Sequence, residues 1–381
     1  MRTLVLASAF PPACGGVERF IYQLCRGLEG QLVVIAPQTP GDQQFDVAQS
    51  FEIRRVSKLP LAIPGSTALS LSISLTKELA RARPDLLICA HISVAGLAYI
   101  VKKLINVDYV VFAHGAELIG SLQWVRQRLF KSAGLIVAVT HFTRSRLIDM
   151  GVNGQKIVVL NPGIDTEWFR PGYDVSCVRN KYGLVGKRVL LTVGRLAANE
   201  QYKGHDMVIR ALPIVLQVIP NTVYLIVGTG DDRERLEHLA RQEGVENHVI
   251  FAGFVPDDEL PAYYCAADVF VMPSREIIEG DTFKYEGFGI VYLEANSCGI
   301  PVIGGRSGGV PEAVLDGVTG LLVEPTSKEA IAAAIIRLLS DVELANKLGL
   351  QGRQRVIREF DRRVIAANFE KMLKEIITKQ I

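Results

Sequence analysis

EGFGIVYLEANSCGIPVIGG, residues 286–305, is the stretch on which the fold turns. Gly287 and Gly289 flank Phe288 and allow a tight change of direction. A helix begins near Ile290, and Pro301–Ile303 reads as a short apolar strand. A turn, a helix and a buried strand in such close order make half of a βαβ unit. Glu286 precedes the turn. Glu294 stands just over one helical turn inside, among Val291, Tyr292, Leu293 and Ala295. A carboxylate in such apolar company needs a polar partner, unless it lies on the helix surface.

Outward from this stretch the same rhythm repeats. Toward the N-terminus the apolar runs are Thr3–Ala7, Leu32–Ala36, Phe51–Val56, Leu86–Ala90, Tyr109–Ala113, Leu135–Val139 and Lys156–Leu160. Most are rich in Val, Ile and Leu and do not alternate, the pattern of strands buried on both faces of a parallel sheet. Helical patterns such as Val17–Leu28 and Thr67–Arg81 lie between them. NPGIDTEWFRPG, residues 161–172, breaks the rhythm with two prolines and two glycines and reads as a linker. The rhythm restarts with Arg188–Val193, Thr222–Val227, His248–Phe251, Asp268–Met272, Pro301–Ile303 and Leu321–Val323, and an amphipathic helix, Arg362–Ile377, ends it. The expected class is α/β, with two doubly wound lobes in series. Open parallel sheets bind ligands at the carboxyl ends of their strands. If the two crevices face each other, the ligand sits between the lobes.

Composition narrows the classes. The chain has 381 residues, enough for two domains, and 49% hydrophobic residues, enough for real cores. A net charge of +2 does not call for a nucleic-acid partner. Residues 1–168 are mildly basic, with 17 Lys and Arg against 12 Asp and Glu. That excess suits an anionic partner such as a phospholipid surface, and is equally ordinary scatter. The six cysteines form no CxxC pair and no metal-ligand spacing with histidine, which fits a reducing compartment such as the cytoplasm. MRTLVLASAF reads as a first buried strand rather than a signal peptide, and no apolar run is long enough to span a membrane.

Four further segments carry chemistry. In FPPACGGVERF, residues 10–20, Gly15 and Gly16 precede a helix whose first amides favour an anion. In isolation this is equally a plain strand-to-helix turn, and it lacks the third glycine of a dinucleotide loop. GRLAANEQYKGHD, residues 194–206, places Arg195 and Lys203 where two cations can meet one phosphate group, or form a solvated surface pair. VGTGDDRERLE, residues 227–237, turns at Gly228 and Gly230, and Asp231-Asp232 suit a helix N-terminus. In FAHGAEL, residues 112–118, His114 stands at a strand's carboxyl end, with His91 in an equivalent place. The other histidines, 141, 205, 238 and 248, are expected to cap or solvate element ends. The vicinal hydroxyls of a ribose are a natural partner for Glu294, with a phosphate on the amides of Ile290 and Val291.

Together these segments resemble the retaining GT-B glycosyltransferases of the large family that includes bacterial mannosyltransferases, sucrose synthases and glycogen synthases. Glu286 and Glu294, with GFGIVYL between them, match the family's E-x7-E motif, and SGGVPEAVLDGVTGLLVEP, residues 307–325, matches a familiar pattern of the second lobe. Within the family the sequence is most similar to the phosphatidylinositol mannosyltransferases. The resemblance implies two Rossmann-like lobes facing a cleft: residues 1–168 on the acceptor side, completed by a helix at 362–381, and residues 169–361 on the donor side. It implies that Gly16 contacts the donor phosphate and that Arg195 and Lys203 neutralise the leaving diphosphate. Glu294 would bind the ribose and Glu286 the transferred sugar. The backbone from Phe288 through Gly289 and Ile290 to Val291 would hold sugar and phosphate, with Gly287 and Gly228 bordering them. His114 would hydrogen-bond the donor sugar.

Two features depart from the family pattern. Ala198–Gln201 lengthens the loop between Arg195 and Lys203, and SREIIEGDTFKYEG, residues 274–287, is long and acidic. The implied reaction moves a hexose, mannose before others, from GDP-mannose or a UDP-sugar to a lipid or glycan acceptor with retention. No Asp-x-Asp occurs in the chain, in agreement with a reaction that needs no metal or other cofactor. Other readings are a nucleotide-sugar epimerase or another enzyme of the same architecture, and a two-lobed solute-binding protein. Trp124, Leu129 and Phe130 beside Arg126, Arg128 and Lys131, in residues 120–134, suit an anionic membrane surface or a core-facing helix with a basic outer face.

Overall fold

The structure is a computed structural model that describes residues 1–13, 15–57, 66–115, 123–280 and 282–380. Residues 116–118 and 120–122 of the segments singled out above, with Cys14 and Asp281, lie outside the described residues. The chain divides into two compact units, Met1–Gly163 with Arg362–Ile381, and Ile164–Asp361.

In the first unit seven strands form one parallel sheet. They are β1 (Arg2–Leu6), β2 (Gln31–Pro37), β3 (Glu52–Val56), β4 (Leu86–Cys89), β5 (Tyr109–Ala113), β6 (Leu135–Ala138) and β7 (Ile157–Val159), in the order β3-β2-β1-β4-β5-β6-β7. β1 pairs with β2 on one side and β4 on the other, Val5 standing opposite Val34 and Ile88. Chain order reverses there, so the crevice between β1 and β4 is this sheet's switch point. Leu4, Leu6, Val33, Leu87, Val111 and Ile136 are all buried in one core. The helix Arg362–Gln380 packs on the helix Gly16–Gly27. A Cβ on Gly27 would come within 2.3 Å of the Ala366 Cβ, so the two backbones approach only because both residues are small. Phe369 of the same helix packs on Phe112 at 5.4 Å between ring centres.

The second unit repeats the plan with β8 (Arg188–Val193), β9 (Thr222–Val227), β10 (Val249–Gly253), β11 (Val269–Met272), β14 (Val302–Gly305) and β15 (Gly320–Val323). The order is β10-β9-β8-β11-β14-β15, all parallel, with the switch point between β8 and β11. Two apolar clusters cover its two faces, one with Leu191, Leu225 and Phe270, the other with Leu190, Tyr224 and Val271. Residues alternate between the clusters along a strand while both faces stay dry, which is why the strands read as continuous apolar runs. The chain enters this unit and leaves it side by side. Ile164 bridges Asp361, and Thr166 Oγ1 donates to the buried Asp361 carboxylate at 2.5 Å.

One element has no counterpart in the apolar pattern. β12 (Ile277–Glu279) and β13 (Thr282–Lys284) form a separate antiparallel hairpin within the acidic segment 274–287. Each strand is three residues long and carries charge, below the length at which a run of side chains signals a strand.

Candidate functional site

A cluster of polar side chains tied to the sequence motifs lies at the carboxyl edge of the second sheet, around the β8–β11 switch point. Its geometry begins with two loops zipped together. Gly194 N donates to Val227 O at 2.9 Å, Leu196 N to Thr229 O at 2.9 Å, and Asp232 N to Leu196 O at 2.8 Å. Gly228 has φ +139°, and a Cβ there would sit 1.9 Å from Gly194 O. Glycine at 228 is therefore required by backbone contact alone. Asp231 does not cap the following helix. Its carboxylate accepts from Ala198 N at 2.7 Å, and Asp232 pairs with Arg235 at 2.6 Å. Both acids are used to hold the loop and the helix flank.

The pinned loop folds residues Ala198–Lys203 into a 3₁₀ turn. Glu200 and Lys203, three apart, fall on one side of it. Lys203 is almost buried, and its Nζ lies 2.6 Å from Glu200 Oε2. The Arg195 guanidinium, which is mostly exposed, pairs with the other oxygen, Oε1. The added residues thus do not separate Arg195 from Lys203; they supply the carboxylate on which both converge. The motifs do not include Glu200; its i, i+3 spacing to Lys203 is the sequence signal that points to it.

Past β11 the chain is tied to the same loop. Arg275 makes two bonds to Asp206, at 2.9 and 3.0 Å, and its backbone amide donates to Tyr202 O at 2.7 Å. Glu286 is half-buried, and its carbonyl accepts from Gly309 N at 2.9 Å. Burial pushes its carboxyl above the usual range. Lys203 draws it down, Glu200 pushes it up, and the amides of Phe288 and Gly287 lower it again. Burial likewise raises the Tyr202 phenol, and the carboxylates of Glu286 and Glu200 raise it further. Arg195, Glu200, Tyr202, Lys203 and Glu286 therefore form one electrostatic cluster.

After Glu286 the backbone turns at Gly289, φ +87°, where a Cβ would collide with the Tyr292 ring at 2.4 Å. The helix Ile290–Ser297 starts there, with Ile290 and Val291 half-buried at its mouth. A helix start leaves N–H groups for an anion. Gly287 and buried Phe288 lie in the turn before it, and the Phe288 ring packs on Phe360 at 5.8 Å. Glu294 is 3% exposed and accepts from Tyr264 Oη at 2.6 Å. The acid does have the partner its surroundings demand, and it is not on the helix surface. Tyr264 comes from another helix, Leu260–Ala266, 30 residues away in sequence.

The histidine expectations need one correction. His205 neither caps nor solvates an element end. It opens the helix His205–Val218, 5% exposed, with Nε2 unpartnered. Burial and then the neighbouring Lys203 push its pKa down to about 3, which keeps it neutral. His248 Nδ1 lies 2.8 Å from Thr222 O, and His91 caps the helix Ile92–Ile105 by accepting from Ser93 N at 3.1 Å.

In the first unit, Gly16 opens its helix behind Gly15, whose φ of 168° is ordinary extended backbone. A Cβ on Gly15 would meet the Glu18 carboxylate at 2.0 Å, so Glu18 folds back over the helix start. His114, directly after β5, has Nε2 2.8 Å from Ala90 O, so that nitrogen carries the proton. Its ring stacks on His91 at 6.1 Å and on Phe112 at 6.1 Å. Gly16, His91 and His114 follow β1, β4 and β5, three neighbouring strands. In the helix Gln123–Ser132, Phe130 is fully buried and Leu129 packs on the core, while Trp124 is 67% exposed and Arg128 Nε donates to Tyr99 Oη at 3.2 Å. Leu129 and Phe130 are core residues, whereas Trp124, Arg128 and Lys131 are exposed and Arg126 is half-buried. Among the described residues no helix is long and apolar enough to cross a membrane, and no group of three or more His, Cys, Asp or Glu is arranged to hold a metal.

Known proteins share this plan. Residues 14–168 match the family model "Glycosyltransferase Family 4" and residues 178–355 match "Glycosyl transferases group 1". The chain is 35% identical to the GDP-mannose-dependent alpha-(1-6)-phosphatidylinositol monomannoside mannosyltransferase of Mycolicibacterium smegmatis, over 97% of each chain. In fold it is similar to Anabaena HepE solved with UDP and glucose, at TM-score 0.84 and 20% identity over 98% of this chain and all of that one. It is similar also to the sucrose-phosphate synthase of Thermosynechococcus elongatus, at TM-score 0.84 and 24% identity over the whole of both. Two Rossmann-like units in series, each matched by its own half of the family description, and a relative aligned nearly end to end, settle the assignment: the chain belongs to the family 4, group 1 glycosyltransferases and is a glycosyltransferase.

Proposed function

We propose that the chain transfers mannose from GDP-mannose to a lipid-linked acceptor of the phosphatidylinositol mannoside kind, with retention and without a metal. The observation that carries the reading is the convergence of Arg195 and Lys203 on one point beside Glu286, at the switch point of the second sheet. The identity of the donor sugar and acceptor is supported by the relative from Mycolicibacterium smegmatis, whose name specifies both.

The chemistry follows from charge. Breaking a glycosyl–phosphate bond leaves positive charge at the sugar's reacting carbon and negative charge on the diphosphate. Preorganised cations and amides stabilise the second without reorganising. Arg195, Lys203 and the helix start at Ile290 and Val291 take that role. Glu294 accepts from the ribose hydroxyls, and Glu286 from hydroxyls of the transferred sugar. Gly16 and His114 act on the donor's phosphate and sugar. His114 Nε2–H is given to Ala90 O, which orients the imidazole at the carboxyl end of β5. The acceptor hydroxyl attacks from the face the diphosphate leaves, and a diphosphate oxygen takes its proton.

The test is thermal unfolding of the whole chain with GDP, GDP-mannose, UDP and UDP-glucose, each with and without a chelator. GDP and GDP-mannose at about 100 times their dissociation constant add about 2.7 kcal/mol, and the chelator changes nothing. A chain stabilised by none of the four ends the donor-site reading. Stabilisation by the uridine compounds alone moves the reading to a UDP-sugar. A lipid-linked acceptor also brings the enzyme to a membrane surface, where Trp124 with Arg126 and Lys131 is the proposed contact. The chain is expected to co-sediment with anionic vesicles and to stay in solution with neutral ones.

A further inference from the structure

Glu200 sits where an anion is expected to come from outside. Its two oxygens are divided between two cations, Oε2 on Lys203 at 2.6 Å and Oε1 on Arg195. Two non-bridging oxygens of a diphosphate would divide in the same way. The contact is not a loose surface pair, because the Glu200 and Lys203 side chains are only 12% and 11% exposed. Nor is the backbone beneath it free to drift. Ala198 N is held by Asp231, Glu200 N donates to Ala197 O at 2.8 Å, and Arg275 N holds Tyr202 O. Arg195, by contrast, is 77% exposed at its side chain and can leave Glu200 without unpacking anything. Glu286 lies within electrostatic reach of Lys203 and Glu200, so two cations share the cluster with two carboxylates.

We infer that Glu200 is a positioning residue, an internal counter-ion that holds Arg195 and Lys203 converged on one point and gives Arg195 up to the donor's diphosphate. The inference rests on the reading of Arg195 and Lys203 as the diphosphate cations. It has a consequence for turnover. Once the sugar has left and the proton taken from the acceptor has passed to solvent, the nucleoside diphosphate carries more negative charge than it did in the donor, because its terminal phosphate is freed. A fixed carboxylate beside that phosphate repels the product more than the donor, and reclaiming Arg195 completes its release.

The experiment compares the whole chain with Glu200→Gln and Glu200→Asp. GDP and UDP are titrated by calorimetry, and kcat, donor KM, product inhibition and a single-turnover rate are measured with the donor each variant accepts. Glu200→Gln is expected to bind nucleoside diphosphate about tenfold more tightly. Its product-inhibition constant falls in parallel and kcat falls, while donor KM falls less and the single-turnover rate holds. Glu200→Asp, which keeps the charge, stays near the parent. Nucleoside diphosphate bound equally or more weakly by Glu200→Gln, with melting unchanged from the parent, overturns the inference and leaves the donor site standing. No binding of either nucleotide by the parent chain overturns the donor-site reading and this inference with it.

Discussion

Lys203→Ala is expected to lower kcat/KM about a thousandfold, the upper end for removing one group aimed at developing charge. Two losses combine. The leaving diphosphate loses a cation that is nearly shielded from water, where its field is least screened. Glu200 loses its 2.6 Å partner and keeps only the exposed Arg195 guanidinium. An almost buried carboxylate left half-paired costs stability as well, about 2–3 kcal/mol. The two effects can be read apart. Lys203→Ala in a Glu200→Gln background removes the stranded charge, so most of the stability returns while the transfer rate does not. Urea midpoints and kcat/KM on the single and double variants give both numbers. A loss of rate below about tenfold would place the leaving charge elsewhere.

Glu294→Gln is expected to weaken nucleoside diphosphate binding about a hundredfold with little change in stability. The amide has nearly the volume of the acid, and its carbonyl oxygen can still accept the Tyr264 hydroxyl, which lies 2.6 Å from Oε2 in the parent. What it loses is the anionic acceptor for a ribose, and charge-assisted bonds are the strong ones. Glu294→Ala separates the contributions. It also takes from the buried Tyr264 hydroxyl its 2.6 Å acceptor, and so adds about 1–3 kcal/mol of destabilisation. Tyr264→Phe tests the support from the other side, since the acid keeps its charge and loses one oriented donor. Titration calorimetry with GDP reads the first effect and chemical denaturation the second. Nucleotide affinity unchanged in Glu294→Gln would leave the buried acid a purely structural residue tied to Tyr264.

What the sequence disclosed follows from what fixes each feature. The strands of both sheets were legible because a strand covered on both faces must be apolar along its whole length, as in Tyr109–Ala113 and Thr222–Val227. Glu294 was legible because an acid in an apolar helix stands out against its neighbours, and Glu286 because it completes the E-x7-E spacing ahead of the glycine turn. The partners were not. Tyr264 reaches Glu294 across 30 residues, and Asp206 reaches Arg275 across 69, so only folding reveals either pair. Asp231 stands at a helix start, yet its carboxylate accepts from Ala198 N in the zipped loop instead. His205 looked like a surface histidine until burial beside Lys203 made it a neutral one. Glu200 is hidden for a different reason: two cations in one loop read as ligands for something outside, and only the fold shows the anion already between them.

In the proposed reading the second unit holds the nucleotide, with its diphosphate at Arg195 and Lys203 and its ribose at Glu294. A crystal structure of the whole chain with GDP bound is the decisive measurement. Phosphate oxygens are expected within hydrogen-bonding distance of the Arg195 guanidinium and Lys203 Nζ, with Arg195 released from Glu200 and the ribose hydroxyls on the Glu294 carboxylate. Nucleotide density away from the β8–β11 switch point, with Arg195 still paired to Glu200, would contradict it.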